Sequence, residues 1–147
     1  MKRTLTVVGL AAALAVTCAI GVAQGEQRQP EKKEVIFIAA DKATFKDVAP
    51  GVSQTVVWGD HDKGPYGAFT KFVPGFDAGM HTHTNDVWIV VLKGAYLYKD
   101  EAGEKRVGPG DFIRIPGRHK HWSGGDGNEG ALLYEESSGK FDLVPAK

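Results

Sequence analysis

From Val35 onward, apolar residues come in short runs broken by turn formers. Residues 35–38, 54–58, 66–73, 87–92, 95–98, 111–115 and 131–135 are each rich in β-branched or aromatic side chains. Several alternate apolar with polar positions, as a half-buried strand does. Between the runs stand Gly59-Asp60, Pro74-Gly75, Lys93-Gly94, Glu101-Ala102-Gly103, Gly108-Pro109-Gly110 and, at 124–127, Gly-Gly-Asp-Gly. Glycine takes positive φ without a Cβ clash and proline fixes φ, so such clusters reverse the chain. No stretch after residue 30 keeps a helical apolar period for three turns. Short strands at regular spacing predict an all-β domain, a sandwich or a small barrel. A barrel of this size has room inside for one small ligand.

The first residues follow a different rule. Met1-Lys2-Arg3 is a positive start, residues 5–16 are apolar but for Thr6, and Gly21-Val22-Ala23 offers small side chains before a cut after Ala23. That order predicts a secretory signal peptide over residues 1–23. An uncleaved membrane anchor over the same stretch, or lipidation at Cys18, are the alternatives. Residues 24–33 are polar, without apolar periodicity, and read as a flexible leader to a domain over 34–147. The folded part is therefore expected outside the cytoplasm, secreted or periplasmic, and free of the membrane once the signal is removed.

Composition narrows the function classes. The 147 residues carry 18 basic and 18 acidic side chains, a balance without the positive footprint of a nucleic-acid binder. Loss of residues 1–23 removes Lys2, Arg3 and Cys18 and no acid, leaving a net charge of −2 and no cysteine. Disulfides, thiolate zinc sites and iron–sulfur clusters are excluded.

Five histidines remain as candidate chemistry: His61, His81, His83, His119 and His121. Alternate residues of a strand share a face, so His81 and His83 project together about 6–7 Å apart along it. Such a pair chelates a metal when a third ligand arrives from elsewhere. His119 and His121 have the same spacing, although only one of them need point inward.

The spacing around these histidines resembles the two-part signature of the cupin superfamily. Its first motif, G-x5-H-x-H-x3-E-x6-G, falls on Gly75, His81, His83, Val87 and Gly94. Its second, G-x5-P-x-G-x2-H-x3-N, falls on Gly110, Pro116, Arg118, His121 and Gly125. The match is close over residues 75–125, and the strand pattern extends it over roughly 34–144. It implies a single-domain cupin-type β-barrel (a double-stranded β-helix, or jelly roll) that often pairs as a homodimer. Three positions depart: Val87 stands for the glutamate, Arg118 for a glycine and Gly125 for the asparagine.

Carried over residue by residue, the resemblance implies metal ligands His81, His83 and His121, and no carboxylate. Asp86 neighbours the glutamate slot, but a one-residue offset turns it to the other face. Three imidazoles add no negative charge, so open positions on the ion would suit water, dioxygen or an anionic ligand. Histidine suits iron, zinc, copper, nickel and manganese sites to differing degrees, and the ligand set does not choose among them. Some three-histidine cupins are iron dioxygenases acting on β-diketones or small thiols. The expectation is an exported mononuclear-metal enzyme, a dioxygenase or lyase, on a small oxygenated molecule. A non-catalytic module binding a metal or small ligand is the alternative.

Other side chains have two readings each. Arg114 clamps a ligand carboxylate if it faces inward, and is a surface residue if not. His119 is an acid–base candidate near the metal or a solvent-facing loop residue. His61, in the turn-rich 59–64 segment, reads as structural or exposed. Tyr96 and Tyr98 share a face and read as packing residues. Of the adjacent Glu135 and Glu136 only one faces the interior, and Trp88 and Trp122 are expected on outer faces.

Overall fold

A computed structural model of the chain describes residues 35–39 and 42–147. The signal peptide of 1–23, Cys18 and the leader of 24–33 lie outside the described residues. Val35–Lys147 form one compact unit. Among the described residues there is no helix, and hence none long and apolar enough to cross a membrane.

The described residues hold eleven strands in chain order: β1 (Lys46–Ala49), β2 (Val52–Gly59), β3 (Tyr66–Phe72), β4 (Asp77–Thr82), β5 (Val87–Gly94) and β6 (Tyr96–Asp100). Then come β7 (Gly103–Val107), β8 (Phe112–Ile115), β9 (His121–Gly125), β10 (Ala131–Ser137) and β11 (Val144–Pro145). They form two antiparallel sheets, β1-β2-β3-β10-β5-β8 and β11-β4-β9-β6-β7. The expected closed barrel is thus a two-sheet sandwich with open edges. β8 spans four residues and β11 two, too little ladder to bridge one sheet to the other.

Period-2 alternation explains which face each strand buries. In β10, Ala131, Leu133, Glu135 and Ser137 point inward while Leu132, Tyr134 and Glu136 are only partly covered. In β5 the inward set is Val87, Ile89 and Val91. These pack with Tyr96, Tyr98, Val107 and Ile115 from both sheets into one core. Each fully buried aliphatic or aromatic side chain contributes about 1.5–3 kcal/mol.

Residues 35–38 do not form the expected strand. Val35 is 96% exposed and Phe37 85% exposed, and no ladder partner lies beside them among the described residues. β1 occupies the β2 edge instead, so an apolar run there finds no strand to pair with. Gly124 and Gly125, read as a turn, are the last residues of β9. A Cβ on Gly124 would lie 2.6 Å from the Phe76 carbonyl oxygen, so close backbone approach requires glycine here. At the β5–β6 corner Gly94 has φ 70°, and a Cβ would meet the Gly130 carbonyl oxygen at 2.2 Å.

Candidate metal centre

β4 and β9 are paired antiparallel with His81 directly opposite His121, residues 40 apart in the chain. His83, two positions past His81 and just beyond β4, stays on the same side. Ring centroids lie 4.2 Å apart for His81–His121, 4.9 Å for His81–His83 and 5.4 Å for His83–His121. One ligand-capable atom of each ring lies within 4.8 Å of the others. Two imidazole–metal bonds of about 2.1 Å span about 4.2 Å end to end, so one ion reaches all three with small ring movements.

Backbone carbonyls orient the rings. His81 Nδ1 donates to Gly79 O at 2.8 Å, His121 Nδ1 to His119 O at 3.0 Å, and His83 Nδ1 to Asp142 O at 2.5 Å. A proton held on each Nδ1 leaves Nε2 with its lone pair, which fixes the tautomer a metal requires. Asp142 is itself anchored, accepting from the Thr84 N–H and hydroxyl through its carboxylate. Burial lowers all three imidazole pKa values, that of His121 to about 4, so the rings are neutral at neutral pH.

His121 Nε2 is buried and has no hydrogen-bond partner among the described residues. An unsatisfied buried polar atom costs about 1–3 kcal/mol, and a bound cation is a partner that removes the cost. The donor set therefore fits a transition metal with nitrogen affinity. Behind His121 the Tyr98 ring stacks at 5.5 Å. Asp100 Oδ2 accepts from both Tyr98 Oη, at 2.7 Å, and His119 Nε2, at 3.0 Å. Those donors hold the Asp100 carboxyl down at about 2.

A cavity of about 340 Å³ adjoins His81 and His83. Its apolar wall includes Phe72, Phe76, Val87, Ile89 and Leu143, and among the described residues no lysine or arginine lines it. Val87, in the glutamate slot, is buried in that wall and supplies no ligand atom. Besides the histidines and Ser123 on β9, the polar lining comes from the six-stranded sheet: Gln54 on β2, Tyr66 and Thr70 on β3, Glu135 on β10. Glu135 Oε1 accepts from Gln54 Nε2 and from Tyr66 Oη, both at 2.8 Å. Burial pushes the Glu135 carboxyl above its usual range and the Tyr66 hydroxyl upward as well.

The remaining sequence candidates lie as follows. Arg114 is exposed and donates to Asp86 Oδ2 through Nη2 at 2.6 Å and Nε at 3.2 Å, away from the cavity. Asp86 also accepts from the Gly117 N–H, which accounts for its outward aim. His119 is half-exposed, bonded to Asp100, with its ring 6.5 Å from that of His121. His61 lines the cavity and stacks on Phe141 at 5.3 Å. Glu136 turns outward to accept from Tyr134 Oη at 2.7 Å, and Trp122 Nε1 donates to Asp77. Gln54, Tyr66 and Thr70 escaped sequence reading. Their one signal is polarity at the inward parity of β2 and β3, where Tyr66, Ala68 and Thr70 alternate inward together.

Residues 68–135 match the Cupin domain family. No curated protein sequence matches the chain. Among solved structures, KdgF from Halomonas sp. is 24% identical with a TM-score of 0.58, the match covering 69% of this chain and 94% of that one. The polyketide cyclase RemF from Streptomyces resistomycificus is 16% identical with a TM-score of 0.63, covering 78% and 87%. A point mutant of salicylate 1,2-dioxygenase from Pseudoaminobacter salicylatoxidans is 17% identical with a TM-score of 0.51, covering 62% and 27%. At such identities the likeness is one of fold.

Proposed function

We propose that this chain, whose residues 68–135 match the Cupin domain family, is a mononuclear metalloenzyme acting on a small oxygenated organic molecule. His81, His83 and His121 hold one divalent transition-metal ion, drawn from iron, zinc, copper, nickel or manganese. The observation that carries the reading is the buried, partnerless Nε2 of His121 facing two rings whose Nδ1 protons are already committed.

A metal held there supplies Lewis acidity and, for a redox-active ion, dioxygen chemistry. The chain's own residues do the rest. The carbonyls of Gly79, His119 and Asp142 keep the imidazoles aimed. Phe72, Val87 and Ile89 exclude water from the cavity, and Glu135 is placed within it to hold a proton. The reaction class that suits a cation with three neutral ligands and a largely apolar cavity is dioxygenation or lyase chemistry. The names of fold neighbours, a cyclase and a dioxygenase among them, agree with small organic substrates. Export behind a cut after Ala23, and pairing as a homodimer, belong to the same reading. N-terminal sequencing of the exported protein and its mass in solution test them.

The deciding experiment is elemental analysis of the full chain expressed for export and purified without chelator. About one transition-metal ion per chain in wild type, and less than a tenth of that in His121→Ala, is the expected result. A metal-free wild type, or a variant that keeps its metal, overturns the site. Oxygen uptake with β-diketones or small thiols, or product release without oxygen, separates enzyme from binding module. Stoichiometric metal with no turnover in either assay leaves the module.

A further inference from the structure

The wall facing the histidines contains a second unsatisfied atom. Gln54 is 5% exposed and lines the cavity, and its Oε1 is buried with no hydrogen-bond partner among the described residues. Its amide orientation is set by its neighbours. Nε2 donates to Thr70 Oγ1 at 3.0 Å and to Glu135 Oε1 at 2.8 Å. Because Glu135 Oε1 also accepts from the Tyr66 hydroxyl, it is an acceptor. A flipped amide would set oxygen against oxygen there. Both amide hydrogens are therefore used and the carbonyl oxygen is left over.

A buried acceptor without a donor is destabilising, and a ligand that donates to it removes that cost. The rest of the cavity limits what such a ligand is. Among the described residues, no lysine or arginine lines the cavity to neutralise an anionic tail. Phe72, Phe76, Val87, Ile89 and Tyr96 supply apolar contact. The volume, about 340 Å³, sits at the small end of ligand pockets, which run from about 300 to 1,000 Å³.

We propose that Gln54 Oε1, held in place by Thr70 and Glu135, recognises a hydroxyl or N–H donor on the ligand. This rests on the cavity being the ligand site of the function proposed above. It narrows the substrate class to a small, mainly apolar, uncharged molecule, with a hydrogen-bond donor at one end and a metal-binding oxygen at the other. Molecules whose far end is acceptor-only, such as ethers or carboxylates, are disfavoured, because they leave two acceptors facing one another.

Hydroquinone and 1,4-dimethoxybenzene have the same ring and differ in whether their oxygens donate. Their affinities are measured by calorimetry on metal-free and zinc-treated wild-type protein, and on Gln54→Met, which keeps the side-chain length and removes the amide. The expected result is about tenfold tighter binding of hydroquinone to wild type and equal affinities in the variant. The Gln54 side-chain amide signals in a nitrogen–proton correlation spectrum of wild type should also move with hydroquinone and not with the ether. That arm needs no variant and decides the case if Gln54→Met does not fold. Equal affinities in wild type, preference for the ether, preference surviving in Gln54→Met, or no binding of either probe at millimolar concentration overturns the proposal. If the protein takes up no zinc yet keeps the donor preference, the metal reading falls and Gln54 recognition stands.

Discussion

The backbone N–H of Arg118 donates to the carbonyl oxygen of His83 across 2.6 Å, tying the turn before β9 to a candidate metal ligand. Arg118 makes this bond with φ at 64°, and it is the non-glycine residue at positive φ among those described. The left-handed region costs a side-chain-bearing residue about 1–2 kcal/mol, part of which glycine returns through the greater freedom of its unfolded chain. Arg118→Gly is therefore expected to stabilise the fold by about 0.5–1 kcal/mol and to raise the melting temperature by a few degrees. Thermal unfolding of the two proteins checks it; a lower melting temperature in the variant would show that the arginine side chain outweighs the strain.

Acid should weaken the metal-free protein through its histidines. The folded state holds His81, His83 and His121 neutral by burial, with His121 down at about 4, whereas the unfolded rings protonate below about 6.5. Between those values the unfolded chain binds more protons, so stability falls as pH drops through that window and is unaffected above it. His121 alone accounts for roughly 2 kcal/mol by pH 5. Urea unfolding at pH 8 and pH 5 measures the loss, and zinc affinity should fall over the same range because the ligands must be neutral. Unfolding free energies that are equal at both pH values contradict buried neutral rings.

Glu135 should act in the opposite direction. Its carboxyl is raised by burial, so the stability of its protonated form is complete below about 4.5 and is lost as pH rises through the folded value. Glu135→Gln keeps an oxygen that accepts from Gln54 Nε2 and Tyr66 Oη. The variant is expected to match wild type near pH 4 and to exceed its stability progressively toward pH 8. Parallel pH profiles for the two proteins would rule out ionisation of Glu135 as the source. The variant also provides a background in which the histidine effect stands alone.

Val87 offers the reverse substitution. It is 6% exposed and lines the cavity with His81 and His83. Val87→Glu places a carboxylate in an apolar wall, which is expected to destabilise the metal-free protein by about 2–3 kcal/mol at pH 8. The same carboxylate adds a ligand of opposite charge, so zinc should bind at least tenfold tighter and restore the melting temperature. Zinc titration followed by thermal unfolding checks both halves; unchanged zinc affinity would place Val87 out of reach of the ion.

The interior strands were legible because their signal is local. Residues 54–58, 66–73, 87–92, 95–98 and 131–135 alternate or cluster apolar side chains, and each lies within or largely overlaps an observed strand. Edge strands gave no such signal. β7, Gly-Glu-Lys-Arg-Val, buries one side chain, and β1 is exposed throughout, so their conformation comes from the ladder beside them. Residues 35–38 show the converse: strong strand composition, no partner and no strand.

Strand parity, a property of the chain itself, was enough to pair His81 with His83, while the choice of His121 over His119 as their companion came from the resemblance of the glycine–proline frame to the cupin signature. Three things were decided only by the tertiary structure: the register that sets His81 against His121, the outward turn of Arg114 toward Asp86, and the meeting of Gln54 with Glu135 across 81 positions. Parity says which residues share a face, but which faces confront one another depends on how the strands pair and the sheets stack. The free energy of that pairing is spread over contacts between segments far apart in the chain.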